Sequence, residues 1–271
     1  MSDLNPYASP RFEPGDPLAA VGFRPASVLG ALGRGTTLYV QCFPTLALIV
    51  IAIWAPLEVF ISYVEYFVLD PDDIVGALRL SMLADGFVGI IATAGVISVG
   101  AAALRGERRS WLQGLGDGLA AWPRIFGTRF LASIFIGLGL LLLVLPGLYL
   151  AVRLLLAETI VIIERRGIMN AINRSQQLTR GQFWPFLGLA TVTVVFLFVF
   201  GAILELPLLF FPQYDHWLLS AALTLLADLA MPWMLLVFVA AYFATTEEER
   251  QRREIEAAAE VGGTIPPLRT M

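Results

Sequence analysis

Apolar residues in this chain are concentrated in six long runs that short polar or charged stretches separate. A helix needs about 20 predominantly apolar residues to cross a hydrocarbon core about 30 Å thick. The runs therefore predict an all-α polytopic membrane protein. Its six transmembrane helices are expected at about residues 38–64, 79–104, 125–145, 148–163, 183–204 and 217–243. The second run is rich in glycine, alanine and serine, which allow close helix packing in lipid, so it is expected to lie centrally in the bundle.

The distribution of arginine predicts how these helices are oriented. The stretches 105–129 and 164–180 are rich in Arg, whereas the loops 65–78 and 205–216 contain none. Cytoplasmic loops of membrane proteins carry an excess of basic residues. The sequence thus predicts three hairpins, with both chain termini in the cytoplasm. The arginines assigned to the cytoplasmic interface are Arg108, Arg109, Arg165, Arg166, Arg174 and Arg180, and Arg105, Arg124 and Arg129 are counted with the same inside charge.

Two of the Arg-rich stretches have an amphipathic pattern at helical spacing. In the first stretch, Trp111, Leu115 and Trp122 form an apolar stripe, with Gly114 and Gly118 on the opposite side. In the second, an apolar stripe lies opposite Asn170, Asn173, Arg174 and Gln177. Such stretches are typical of helices that lie in the membrane interface, so an interfacial helix is predicted before the third span and before the fifth.

The two amphipathic stretches also belong to a repeated pattern. Glu107-Arg108-Arg109 with Trp122-Pro123 corresponds to Glu164-Arg165-Arg166 with Trp184-Pro185, and a span follows each. The sequence PASVLGALGRG at residues 25–35 is a candidate degenerate third copy. Three such units in the same orientation give the three predicted hairpins.

Composition limits the possible functions. Hydrophobic residues make up 58% of the chain and the mean hydropathy is +0.76, whereas soluble domains average about 45–50% apolar residues. The net charge of −4 argues against nucleic-acid binding. Residues 1–24 and 247–271 are predicted to be polar cytoplasmic tails, the first of them disordered, around a membrane domain at residues 25–246. No catalytic motif is present and the single histidine, His216, has no second ligand nearby in sequence, so no cofactor or metal is expected.

Ionisable side chains inside the predicted spans are the candidate functional site. Such residues are costly in lipid and usually functional. They are Glu58, Asp85, Arg153, Glu158 and Asp228. Arg153 is expected to pair with Glu58 or Asp85.

Asp228 has a further feature, because Pro232 lacks the N–H that would bind its carbonyl oxygen. The functional interpretation is a proton, cation or lipid-headgroup site, and the alternative is a proline kink with a satisfied acid.

One block of sequence resembles a known family. Residues 146–181 contain a Pro-Gly turn, acidic and basic residues inside a span, and a surface helix, and the matching positions are Pro146, Gly147, Arg153, Glu158, Glu164, Gly167, Ala171, Ser175, Leu178 and Gly181. They resemble the membrane domain attached to some glycerophosphodiester phosphodiesterases, and related stand-alone six-span bacterial proteins. The resemblance implies six helices in the cytoplasmic membrane. It implies no enzymatic activity here, because the phosphodiesterase barrel is a separate domain.

These patterns favour a non-enzymatic integral membrane protein that acts as a lipid-interacting, scaffold or regulatory module. Its expected partners are membrane lipids, or another membrane or cytoplasmic protein. Two alternatives stay open. One is a transporter or permease-like protein that uses the buried polar residues, and the other is a membrane enzyme of lipid metabolism.

Overall fold

The computed structural model describes residues 28–70, 73–210 and 216–260, and in these ranges all regular structure is helical. Six helical spans in this part of the chain are long and apolar enough to cross a membrane, which confirms the predicted polytopic helical class. The helices are α1 (Val28–Phe67), α2 (Ile74–Ala84), α3 (Ile90–Leu104), α4 (Trp111–Leu142), α5 (Val144–Leu154), α6 (Ala157–Ile163), α7 (Ile168–Leu178), α8 (Phe183–Phe210), α9 (Trp217–Asp228) and α10 (Met231–Glu260). A π-helical turn at Asp85–Gly89 joins α2 to α3.

The spans differ in how they are built. The first, third and fifth spans are the single helices α1, α4 and α8. The second span consists of α2, the π-helical turn and α3, the fourth of α5 and α6, and the sixth of α9 and α10. Every even-numbered span therefore contains an interruption of regular α-helix.

The predicted interfacial helix before the third span does not exist as a separate element. A capping box between Ser110 and Gln113 starts α4 at Trp111, and the helix then runs unbroken through Pro123 to Leu142. Gly114 and Gly118 of α4 are buried, whereas Leu115 of the predicted apolar stripe is only partly buried. A Cβ on Gly95 of α3 would lie 3.2 Å from the carbonyl carbon of Gly114. In lipid, close approach at small residues drives packing and apolar side chains are free to face outward, which explains why Leu112 and Leu119 are exposed.

The second amphipathic segment does form its own helix, α7. Its predicted apolar stripe is buried at Ala171, Ile172 and Leu178. Pro185 follows Arg166 by 19 residues, whereas Pro123 follows Arg109 by only 14. The extra residues form a turn with Gly181 at φ 79°, a left-handed conformation that glycine tolerates. The predicted repeat therefore has two different structures.

Three boundaries also differ from the sequence predictions. The candidate third copy at residues 25–35 supplies the first turns of the continuous helix α1 from Val28 onward. The reversal between α4 and α5 occurs at the extended residue Leu143 and not at Pro146-Gly147. The last helix, α10, continues from the membrane domain through the charged segment to Glu260. The predicted tail at residues 1–24 lies outside the described residues.

The spans occupy unequal positions in the bundle. In the most apolar stretch of the second span 72% of the residues are buried, compared with 11% in the fifth span. The second span is thus central, as its small residues predict, and it packs with α1, α4 and α10. The fifth span, α8, is peripheral, and its open apolar surface is compatible with direct contact with lipid tails.

Candidate intramembrane polar site

Arg129 is the centre of a group of charged side chains inside the bundle. Its Nε and Nη2 atoms donate to the two carboxylate oxygens of Glu158 at 2.8 and 3.0 Å. Its Nη1 atom lies 3.4 Å from both the carboxylate and the carbonyl oxygen of Asp85. Arg129 is 13 residues from the nearer end of α4, or about 20 Å at 1.5 Å per residue. The Arg129 guanidinium thus links the third span to the second and the fourth.

The π-helical turn presents its carbonyl groups to α4. The carbonyl oxygen of Asp85 faces Arg129, and that of Phe87 accepts a 2.6 Å hydrogen bond from Nε1 of Trp122. Wider π-helical turns inside α-helices are frequent at functional sites. In this span the turn also aims the carboxylate of Asp85 toward the same arginine.

The other two interruptions also lie beside acidic residues. In the fourth span regular helix stops at residues 155–156, two positions before Glu158. In the sixth span it stops at residues 229–230, directly after Asp228. The sequence left two interpretations of Asp228 open, a polar site and a proline kink with a satisfied acid. In the structure α9 ends at Asp228, Pro232 is the second residue of α10, and the hydroxyl of Tyr39 donates to the carbonyl oxygen of Leu229 at 2.8 Å.

Tyr39→Phe is expected to lower the thermal unfolding midpoint by about 2–4 °C. The reason is that it leaves the Leu229 carbonyl at the interruption without this donor, a loss of about 1 kcal/mol. Tyr63→Phe, which removes a hydroxyl from the same helix, serves as the matched control. The midpoint is read from tryptophan fluorescence during heating in detergent, and equal midpoints for the two variants would contradict a role for the Tyr39 hydroxyl.

Glu58 and Asp228 add two further acids to this region. Glu58 is 7% exposed, and within the described part of the chain it forms no salt bridge. Oδ2 of Asp228 is buried without a hydrogen-bond partner, and its carboxyl group interacts electrostatically with Glu58 and Asp85. The Arg129 guanidinium therefore contacts two of the four carboxyl groups, those of Glu158 and Asp85. Among the described residues no group of three or more His, Cys, Asp or Glu side chains is arranged to hold a metal ion.

Arg153 does not pair with Glu58 or Asp85, so that prediction is wrong. Its guanidinium lies 5.6 Å from the ring centroid of Tyr149 on the preceding turn of α5. Asp85 is engaged by Arg129 instead. Sequence reasoning did not identify Arg129 as a site residue, because Arg129 was assigned to the cytoplasmic arginines. A signal was available, since Arg129 is followed directly by the apolar run that forms the rest of the span.

Several of the predicted interfacial arginines are engaged within the protein. Arg109 forms a salt bridge with Asp117, which also accepts a 2.5 Å hydrogen bond from Ser98. Arg166 forms a salt bridge with Glu164. The exposed members of the predicted set that form no salt bridge within the described residues are Arg108, Arg165 and Arg180.

Arg174 is the most enclosed of the predicted interfacial arginines. Its side chain is only 15% exposed and binds Glu249 on α10 through two hydrogen bonds of 3.0 and 2.5 Å. Burial lowers the pKa of Arg174, but the hydrogen bond and charge of Glu249 and the charge of Glu164 outweigh it and raise the pKa overall. Arg174 therefore stays cationic as part of a helix contact.

The fold and the polar group define the class: a polytopic α-helical membrane protein with interrupted spans around ionisable side chains. Residues 75–247 match a family described as a domain of unknown function, DUF7847, and the chain belongs to this family. It is also similar to proteins named UPF0259 membrane protein from Yersinia pestis (strain Pestoides F) and Yersinia pseudotuberculosis serotype O:3 (strain YPIII). Each is 34% identical over 113 residues, or 41% of this chain and 44% of the relative.

The chain thus matches less than half the length of these relatives. No solved structure gives a significant match. No glycerophosphodiester phosphodiesterase family is indicated, so the resemblance drawn from residues 146–181 is wrong. The assignment as a membrane protein is supported by the relatives and by the six apolar spans.

Proposed function

We propose that this protein is a permease-like transporter of the bacterial cytoplasmic membrane, with protons as its coupling ion. The proposal is carried by one observation. Each interruption of an even-numbered span lies within two residues of an acidic side chain, namely Asp85, Glu158 and Asp228. Interrupted transmembrane helices form the substrate and ion sites of many secondary transporters, because their unwound backbone offers polar groups at membrane depth.

The charge balance of the site favours a proton. Glu158 is engaged by Arg129 through two hydrogen bonds, whereas Glu58 and Asp228 have no basic partner within the described residues. An uncompensated carboxylate is expensive inside a membrane. Protonation removes that cost, and a group that gains and loses a proton during each cycle can couple proton entry to movement of another solute.

Proton movement through reconstituted protein tests this function. A potassium gradient with valinomycin imposes an inside-negative potential on liposomes, and a trapped pH-sensitive dye reports proton uptake. The wild-type protein is expected to acidify the lumen faster than empty liposomes do. Glu158→Gln and Asp228→Asn are expected to reduce the initial rate at least about 10-fold, because each removes one titratable carboxyl group from the site.

Glu107→Gln is the control, because Glu107 is an acidic residue on an exposed loop. It is expected to retain the wild-type rate. A wild-type rate equal to that of empty liposomes would contradict proton conduction through this site in the absence of a second solute. If Glu107→Gln slowed uptake as much as Asp228→Asn, the role of the intramembrane acids would be contradicted.

The cytoplasmic location of both termini is part of the same proposal. It is supported by the arginine-rich stretches 105–129 and 164–180 and by the bacterial origin of the relatives. Reporter fusions at each terminus that are active on only one side of the membrane test it.

A lipid-interacting role is the second candidate. Arg165 and Arg180 are exposed, and Trp184 is 76% exposed where α8 begins. Basic and aromatic side chains of this kind are enriched where helices enter the headgroup region. Mass spectrometry of the protein released from mild detergent would detect a bound anionic phospholipid. Under this role the lipid is lost when Arg108, Arg165 and Arg180 are replaced together by Gln.

A further inference from the structure

The surface helix α7 supports the interruption of the fourth span. Oγ of Ser175 donates a 2.8 Å hydrogen bond to the carbonyl oxygen of Arg153, and the Thr179 hydroxyl lies 3.4 Å from the same oxygen. Both hydroxyl residues are fully buried. Arg153 lies in the last turn of α5, where carbonyl groups depend on donors from outside their own helix. The donor from α7 thus fixes the end of the half-helix that precedes Glu158.

The same turn of α7 is bound to the sixth span. Arg174, directly before Ser175, makes two hydrogen bonds to Glu249 of α10. Nε2 of Gln182, just after α7, donates to Glu248 at 3.0 Å. Because charge-assisted pairs with two parallel hydrogen bonds fix orientation as well as distance, α10 holds this turn in a defined position.

The end of α6 also contacts α10 and α7. The carboxylate of Glu164 accepts a 2.8 Å hydrogen bond from the hydroxyl of Tyr242 on α10 and lies 3.6 Å from Nε of Arg174. Residues 242–249 of α10 are therefore bound to the end of α6 and to α7, which is in turn bound to the end of α5. A displacement of α10 at these residues would therefore be transmitted through polar contacts to both α5 and α6, the two halves of the fourth span.

We propose that α7 is a coupling element, with Ser175 and Thr179 as positioning residues that hold the interruption beside Glu158, and with the Arg174 to Glu249 pair linking that interruption to α10. The mechanical link is independent of what the protein transports. Its consequence for proton movement rests on the proposed function.

Hydrogen–deuterium exchange of the full chain in lipid nanodiscs tests the link. Glu249→Gln weakens the pair with Arg174, so the backbone amides of residues 155–160 are expected to exchange about 10-fold faster. Glu247→Gln, two residues earlier on α10, is the matched control and leaves the exchange unchanged.

Ser175→Ala provides a second, milder variant. It removes the donor to the Arg153 carbonyl, so exchange at residues 155–160 should rise without a change at residues 242–249. The proposal is overturned if Glu249→Gln and Glu247→Gln give equal exchange at residues 155–160. It is also overturned if exchange rises to the same degree in the central helix α3, because the effect is then general destabilisation. The result does not depend on proton flux, so a failure of the proposed function would be seen separately.

Discussion

Gly118→Ala is expected to lower the thermal unfolding midpoint of the protein by about 5–10 °C. Its Cβ would overlap the backbone carbonyl oxygen of Ile91 on α3 and lie 3.2 Å from the adjoining carbonyl carbon. Because a backbone atom of a packed helix cannot rotate away, α3 and α4 have to separate. Overpacking of this kind costs about 1–3 kcal/mol, and a chain of this size loses about 2–4 °C per kcal/mol.

Gly116→Ala is the matched control, only two residues away on the same helix. A Cβ at Gly116 meets nothing within 4 Å. Since alanine favours a helix over glycine by about 1 kcal/mol, this variant is expected to keep or raise the midpoint. Size-exclusion chromatography after heating in detergent measures both variants. Equal losses for Gly116→Ala and Gly118→Ala would show that the glycine face of α4 is not the packing face.

The six spans were predictable because the length and hydropathy of a run are local properties. The face that each helix buries was not, and α4 shows why. Its pattern of Trp111, Leu115 and Leu119 against Gly114 and Gly118 is amphipathic, and in water the leucine side would be the buried one. Lipid tails solvate leucine side chains as well as the protein interior does, so burial of leucine gives no advantage in a membrane. Close packing of the backbones then determines the orientation, and Gly114 and Gly118 face the bundle.

The candidate polar residues were recognisable, but their partners were not. Asp85, Glu158 and Asp228 follow from a simple search for charge inside apolar runs. Which arginine meets which acid depends on helix rotation and on three interruptions that hydropathy does not report. Arg153 was therefore paired incorrectly, while Arg129 was placed at the interface, although it lies in the same helix as the glycine face.

Arg129→Met is expected to destabilise the protein by about 2–3 kcal/mol. It removes the two hydrogen bonds to Glu158 and leaves that carboxylate enclosed without a cation. Breaking one side of a buried ion pair costs about 3–5 kcal/mol, and the lower figure applies here because the Arg129 and Glu158 side chains are 23% and 27% exposed. Methionine keeps the length and apolar stem of the side chain, so the loss of charge is the main change.

A double-mutant cycle separates this pair from general packing effects. If Arg129 and Glu158 stabilise each other, the combined variant with Arg129→Met and Glu158→Met is expected to recover most of the lost stability. The carboxylate that then lacks the guanidinium is that of Asp85, whose side chain is 48% exposed and therefore solvated. Arg153→Met is the comparison within the fourth span. It removes only the contact over Tyr149, which is worth about 0.5–1 kcal/mol at an exposed site. Additive losses in the cycle, or an equal cost for Arg153→Met, would mean that Arg129 is not the cation that holds these spans together.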